Sequence, residues 1–191
     1  MPPKVKVTKD NILDAAFTIA SKEGFSGITA RSVAKELGCS VAPIYVNFET
    51  MEELMEGLMK KIASLSADLL TEQQGEDYFE RIGKASLAFA RRYPVIFREM
   101  ALLPADRQMQ DKMQAGILSG MAQDEGMKHW TSEERRRLLL KMSIFQLGLS
   151  LMVANNSLPR EMSDKDQEDL LMEIGEEMLM IHKIKNKTMD Q

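Results

Sequence analysis

Residues 29–48 read TARSVAKELGCSVAPIYVNF, and the way this stretch breaks decides the fold. Thr29 suits the N-cap of a segment running to about Leu37, because its hydroxyl can accept from an amide that the first helical turn leaves unpaired. Gly38 interrupts that segment, and Ser40 offers a second cap for a helix from about Val41 to Asn47. Only Gly38 and Cys39 then remain for the connection, which predicts a tight helix-turn-helix.

The surroundings continue the helical pattern. Upstream, Ile12, Leu13, Ala16, Phe17, Ile19 and Ala20 form a stripe at helical spacing between about Thr8 and Glu23, closed by Gly24. Downstream, Thr50 followed by Glu53 predicts a capping box for a long fourth helix through Leu58, Ile62, Leu65 and Leu69. A fifth helix carries Phe79, Ile82, Phe89 and Tyr93. Pro94 and Pro104 suit the first turns of a sixth and a seventh, the latter reaching about Asp124. Thr131 with Glu134 predicts an eighth to about Asn155, with Leu138, Met142, Phe145, Leu149 and Met152 on one stripe. Ser163 caps a final helix bearing Leu171, Ile174, Met178 and Ile181, with acidic residues at its start and Lys183, Lys185 and Lys187 at its end, as the helix dipole prefers.

The expectation is therefore an all-α chain of about nine helices, with no internal repeat and no linker. Residues 1–50 are expected to form a three-helix, helix-turn-helix domain and residues 51–191 a second helical domain.

Composition agrees and narrows the function. The chain has 191 residues, of which 44% are hydrophobic, with 11 Gly and 6 Pro. That is ample for a packed core and poor in chain-breaking residues. Its net charge of -4 argues against a nonspecific nucleic-acid coat. Residues 1–48 nevertheless hold six Lys and Arg against four Asp and Glu, while the remaining 143 hold 19 against 25, so the basic end is the helix-turn-helix end. A single cysteine, Cys39, excludes an internal disulfide and fits a reducing compartment, so a cytoplasmic location is expected. The uncharged run from Met142 to Pro159 reaches the length of a short membrane span. Its Ser143, Gln146, Ser150, Asn155, Asn156 and Ser157 favour a buried helix, and no membrane partner is expected.

The segment from Ile12 to Leu54 resembles the DNA-binding domain of the TetR (tetracycline-repressor-like) family. The resemblance rests on Ile12, Ala15, Ala16, Gly24, Phe25, Thr29, Ala30, Arg31, Val33, Ala34, Leu37, Gly38, Ser40, Pro43, Tyr45, Phe48 and Leu54 in register. It covers about 45 residues; beyond them only length and helix pattern agree.

The chemistry of the second short helix fits a reader of DNA. A helix over 41–47 can enter the major groove, about 12 Å wide, with its N-terminal residues toward base edges. Ser40, Val41, Ala42 and Pro43 are small and permit close approach; Val41 and Ala42 suit thymine methyls, and Tyr45 suits a phosphate. Thr29, opening the preceding helix, presents amides and a hydroxyl to a second phosphate. Arg31 is the sole arginine in the first 80 residues and stands where the resemblance implies a base or backbone contact. Asn47 completes the expected DNA-facing set, at a position where the family frequently has a basic or aromatic residue.

The family usually places a lysine after Phe48 at the start of the fourth helix, whereas this chain reads ETMEE over 49–53. Carboxylates near phosphate repel it, so affinity is expected to be modest and steeply salt-dependent, with Lys4, Lys6 and Lys9 as replacements.

Twelve of the sixteen methionines lie from Met100 onward; individually they fill core gaps, and together they suit an adaptable apolar pocket. Its expected lining is Phe89, Phe97, Met113, Ile117, Met142 and Phe145, for a small apolar effector. The expected homodimer interface uses Leu151, Leu171, Ile174, Met178 and Ile181, with the last two helices of each subunit forming a four-helix bundle, as the resemblance implies. His129 and His182 stand alone, so neither a metal nor a cofactor is expected. With no phosphate loop and no nucleophile beside a histidine, nothing nominates an enzyme.

The function expected is a sequence-specific transcriptional regulator that binds a palindromic operator in double-stranded DNA as a homodimer. By resemblance it is a repressor released by its effector. The alternative is a helical protein-interaction module whose DNA-binding end has weakened.

Overall fold

The computed structural model describes residues 7–74, 78–103 and 107–189. Among them the chain forms nine α-helices and one 3-10 turn, with no strand, so the all-α expectation holds. The helices are α1 (Lys9–Glu23), α2 (Ala30–Glu36), α3 (Ala42–Asn47), α4 (Met51–Glu72), α5 (Tyr78–Arg92), α6 (Pro94–Leu102), α7 (Arg107–Gln123), α8 (Ser132–Ala154) and α9 (Asp164–Met189). The 3-10 turn, Phe25–Gly27, follows α1. Pro104 lies outside the described residues, and so do Lys4 and Lys6.

The chain divides into two compact units, Met1–Leu102 and Leu103–Gln191. In the first, Ile12, Ala16, Val33, Ile44, Leu54, Leu58 and Ile62 share one buried core, so α1 to α3 are packed onto α4. The first compact unit thus continues through α6, well past residue 50, because the apolar faces of the short helices are too small to close on themselves and use α4 and α6 as a floor. An aromatic cluster fastens this floor: Phe17 meets Tyr93 edge-on at 5.1 Å between ring centroids, and Phe89 lies 5.3 Å from Tyr93 and 6.3 Å from Phe97.

In the second unit, α8 packs against both α7 and α9. Ile117, Met121, Trp130, Leu138, Leu139 and Leu149 are buried there. Gly175 on α9 is buried, with the Met142 methyl of α8 3.6 Å from where a Cβ would stand, an ordinary packing distance. Thr131 and Glu134 form the expected capping box of α8, and Asp166 and Ser163 bond reciprocally at the start of α9. By length and composition alone α8 is apolar enough to cross a membrane.

Candidate nucleic-acid interface

The short helices are held by local hydrogen bonds and a few buried side chains. Thr29 caps α2 by accepting from Ser32 N–H at 3.0 Å, and the Ser32 hydroxyl accepts from Thr29 N–H at 2.8 Å. Ser32 also donates to the Gly27 carbonyl at 2.7 Å, tying the cap to the 3-10 turn. Gly38, at φ 64°, makes the left-handed bend that ends α2. The turn is longer than the sequence suggests. Leu37 to Val41 all lie outside helix, and Val41 takes the N-cap place of α3 with no side-chain cap bond. Ser40 therefore does not cap α3: Pro43, in the first turn, has no amide hydrogen to satisfy, so the demand for a capping oxygen is reduced.

What fixes α3 is Ile44, 1% exposed, together with buried Phe48 just beyond its end. Pinning those two turns the rest of the helix outward. Tyr45 is 55% exposed and Val46 84%, and Ala42 is exposed on the same face; Val41 and Pro43 are half-buried and Ser40 is exposed. Thr29 and Arg31 are exposed at the start of α2. Asn47 differs from the others, since its amide Nδ2 donates to the Pro43 carbonyl at 2.8 Å and to the Val7 carbonyl at 3.4 Å. It is half-buried and bound to its own helix and to the segment before α1. Val46 was absent from the expected set. Once Ile44 and Phe48 are recognised as the inward pair, helical spacing places 42, 45 and 46 on the opposite face, and that spacing is the signal that finds it.

The opening of α4 carries the acidic stretch. Thr50 caps it by accepting from Glu53 N–H at 3.1 Å, while the Glu53 carboxylate reaches Glu49 N–H at 2.8 Å, one residue before the reciprocal partner a capping box would use. The other Glu53 oxygen pairs with Lys9 at 3.0 Å, and the Lys9 ammonium lies 4.9 Å from the Phe48 ring centroid. The bond from Glu49 N–H, followed by Lys9, lowers the Glu53 pKa below the ordinary glutamate value. Lys9, expected as a phosphate contact in place of the missing lysine, is thus already engaged with a carboxylate.

An open groove of about 860 Å³ runs between α1 and the turn, with Asn11, Asp14, Thr18, Glu36, Cys39 and Pro43 among its walls. None of the expected effector-lining residues borders it. Phe89 is buried and Phe97 half-buried in the aromatic cluster of the first unit, where their rings pack on protein. Ile117 is buried in the second unit and Met142 and Phe145 are half-buried there; Met113 lies on α7. The six residues are therefore divided between the two units. Of the expected interface set, Ile181 is exposed and Leu151, Leu171, Ile174 and Met178 are half-buried. The sequence reading missed a second stripe on α8: Leu140 at 61%, Ile144 at 63% and Leu147 at 46% exposed.

The family model for "Bacterial regulatory proteins, tetR family" matches residues 12–58. The chain is 33% identical over 104 residues to the nucleoid occlusion factor SlmA of Aliivibrio fischeri, covering 51% of this chain and 53% of that protein. It is 30% identical over 94 residues to the HTH-type transcriptional repressor DrrR1 of Streptomyces coeruleorubidus, covering 48% of this chain and 35% of that one. The chain thus spans about half or less of the length of these relatives. Among solved structures, a transcriptional regulator from Rhodococcus sp. Rha1 superposes with a TM-score of 0.62 at 18% identity, covering 91% of this chain and 97% of that one, which extends the shared fold well past α4. The segment from Ile12 to Leu58, which holds α1, α2, α3 and the start of α4, is thus the part of this chain that is similar to the tetR family of bacterial regulatory proteins.

Proposed function

We propose that the chain is a sequence-specific, DNA-binding transcriptional regulator that acts as a cytoplasmic homodimer on a near-palindromic operator. The observation that carries this reading is α3 itself: a six-residue helix anchored by one buried isoleucine, with Ala42, Tyr45 and Val46 facing solvent. In this reading α3 enters the major groove, Val41, Ala42, Pro43 and Val46 approach base edges, and the Tyr45 hydroxyl and Ser40 reach the backbone. Thr29 and Arg31 at the start of α2 meet the adjacent phosphates. Asn47 positions α3 against the chain before α1.

Two such helices related by a two-fold axis fit half-sites about 34 Å apart or a multiple of that. The pairing surface is the α8 stripe of Leu140, Ile144 and Leu147, continued by Leu151, with Leu171, Ile174, Met178 and Ile181 of α9, so that four helices form one bundle. Covering this stripe with a second copy accounts for its exposure in a single chain without calling on lipid. A small apolar effector held in the Met-rich second unit, near Ile117, Met142 and Phe145, shifts the population toward a dimer of another spacing and lowers operator affinity. Repression relieved by the effector is the proposed outcome.

The test is retention of double-stranded DNA at low and at moderate salt, with Tyr45→Ala alongside. A regulator keeps a sequence-dependent fraction bound at moderate salt, and Tyr45→Ala loses it. Retention that vanishes with salt alike for all sequences favours a protein-interaction module in which α3 has lost its role.

A further inference from the structure

The outward face of α3 is short of hydrogen-bonding chemistry. Between Ala42 and Asn47 there is no Lys, Arg, His, Asp, Glu or Gln. In the major groove, bases are distinguished by forked donors and acceptors, such as Arg on guanine or Asn and Gln on adenine, or by apolar contact with the thymine C5 methyl. Asn47 carries the sole side-chain amide of the helix, and that amide is bonded inward to Pro43 and Val7. What α3 presents is Val46, 84% exposed, and Ala42, one helical turn earlier on the same face, with Tyr45 beside them. Val46 is β-branched and adds little to the stability of so short a helix, and the first unit leaves it uncovered.

Resting on the regulator reading above, we propose that Val46, with Ala42 beside it, is the principal specificity-determining residue of α3, and that it recognises thymine methyl groups. Each half-site then carries, at the base pairs facing α3, one or two thymines identified by the methyl and not by a hydrogen-bonding edge. The Tyr45 hydroxyl binds the backbone and fixes the depth at which Val46 meets the methyl.

The experiment uses the full chain and the operator recovered by selection from a random duplex library. Each thymine is replaced in turn by deoxyuridine, which removes the C5 methyl and keeps the base pair. Wild type and Val46→Ala are titrated against every duplex, with circular dichroism and melting as controls on folding. Deoxyuridine at one or two positions per half-site is expected to weaken wild type about fourfold each, the transfer free energy of one methyl-sized group. Val46→Ala binds the unmodified operator more weakly and no longer responds at one or more of those positions. Equal losses for both proteins at every position, or no loss for wild type anywhere, would overturn the thymine-methyl assignment and leave the regulator reading standing. If no sequence is enriched at all, both fall together.

Discussion

The carboxylate of Glu99 on α6 accepts a hydrogen bond from the backbone N–H of Phe25 at 2.5 Å, where α1 gives way to the 3-10 turn that leads into α2. Gly24, at φ 80°, lies so close that a Cβ there would stand 2.1 Å from a Glu99 oxygen. A floor helix of the first unit thus holds the entry to α2 and α3 through one charge-assisted bond and one glycine. Glu99→Ala leaves the Phe25 amide without this acceptor and is expected to lower stability by about 1–3 kcal/mol. Gly24→Ala, forced into a glycine-only backbone region, adds a strain cost of about 1–3 kcal/mol and displaces Glu99 as well. Denaturant titration of both variants checks this; a Gly24→Ala midpoint equal to wild type contradicts it.

Glu53 makes a pH-dependent clasp between α1 and α4. Because its native pKa is lowered, first by Glu49 N–H and then by Lys9, its contribution to stability is fully present above the ordinary glutamate value and is lost as pH falls through the lowered native value. The stability difference between wild type and Glu53→Gln should therefore be constant near neutrality and shrink as pH falls from the ordinary glutamate value through the lowered native one. A difference that stays the same across that range would show that the ionised clasp contributes nothing.

If the chain reads DNA as proposed, the acidic start of α4 is expected to limit its affinity. Met51 is its first residue, between Glu49 on one side and Glu52 and Glu53 on the other. Met51→Lys keeps an aliphatic stem against the core and places an ammonium at the helix start. Tighter operator binding at low salt is expected, with the slope of log affinity against log salt steeper by about 0.9, the value of one added phosphate contact. An unchanged slope would mean that this end of α4 does not approach DNA.

Ile144 sits at the centre of the exposed α8 stripe. Ile144→Glu should leave the helical content of the chain intact and convert it to a monomer in light scattering, with loss of operator binding following from the loss of the paired half-site. Leu171→Ala and Ile174→Ala weaken the same association. A dimer that persists through Ile144→Glu moves the interface elsewhere.

Much of this was legible in the residues. Capping pairs at Thr29 and Thr131, the glycines at 24 and 38, and the proline at 94 mark helix ends because each satisfies or avoids a backbone demand that is local in sequence. The start of α3 was misread because Ser40 looks like a cap, whereas Pro43 removes part of the need for one. Val46 was passed over because helical spacing gives a face only after one residue is known to be inside, and that residue, Ile44, is buried in a core whose other members range from Ile12 to Ile96. On α8 the apolar residues surround the whole helix, so no periodicity could choose between the face with Leu138 and Leu149 and the face with Leu140 and Ile144. Asn47 and Lys9 look like free polar groups in sequence, and their partners, Val7 and Glu53, are 40 and 44 residues away.

The central claim is that paired α3 helices read a specific palindrome, and selection from a random double-stranded library at about 0.1 M salt tests it most directly, since that salt damps nonspecific phosphate attraction. The account predicts enrichment of an inverted repeat whose half-sites are centred about one or two helical turns apart, with thymines at the positions facing α3. Recovery of unenriched sequence by a folded, dimeric protein would contradict it and make the helical body, without DNA, the working part of the chain.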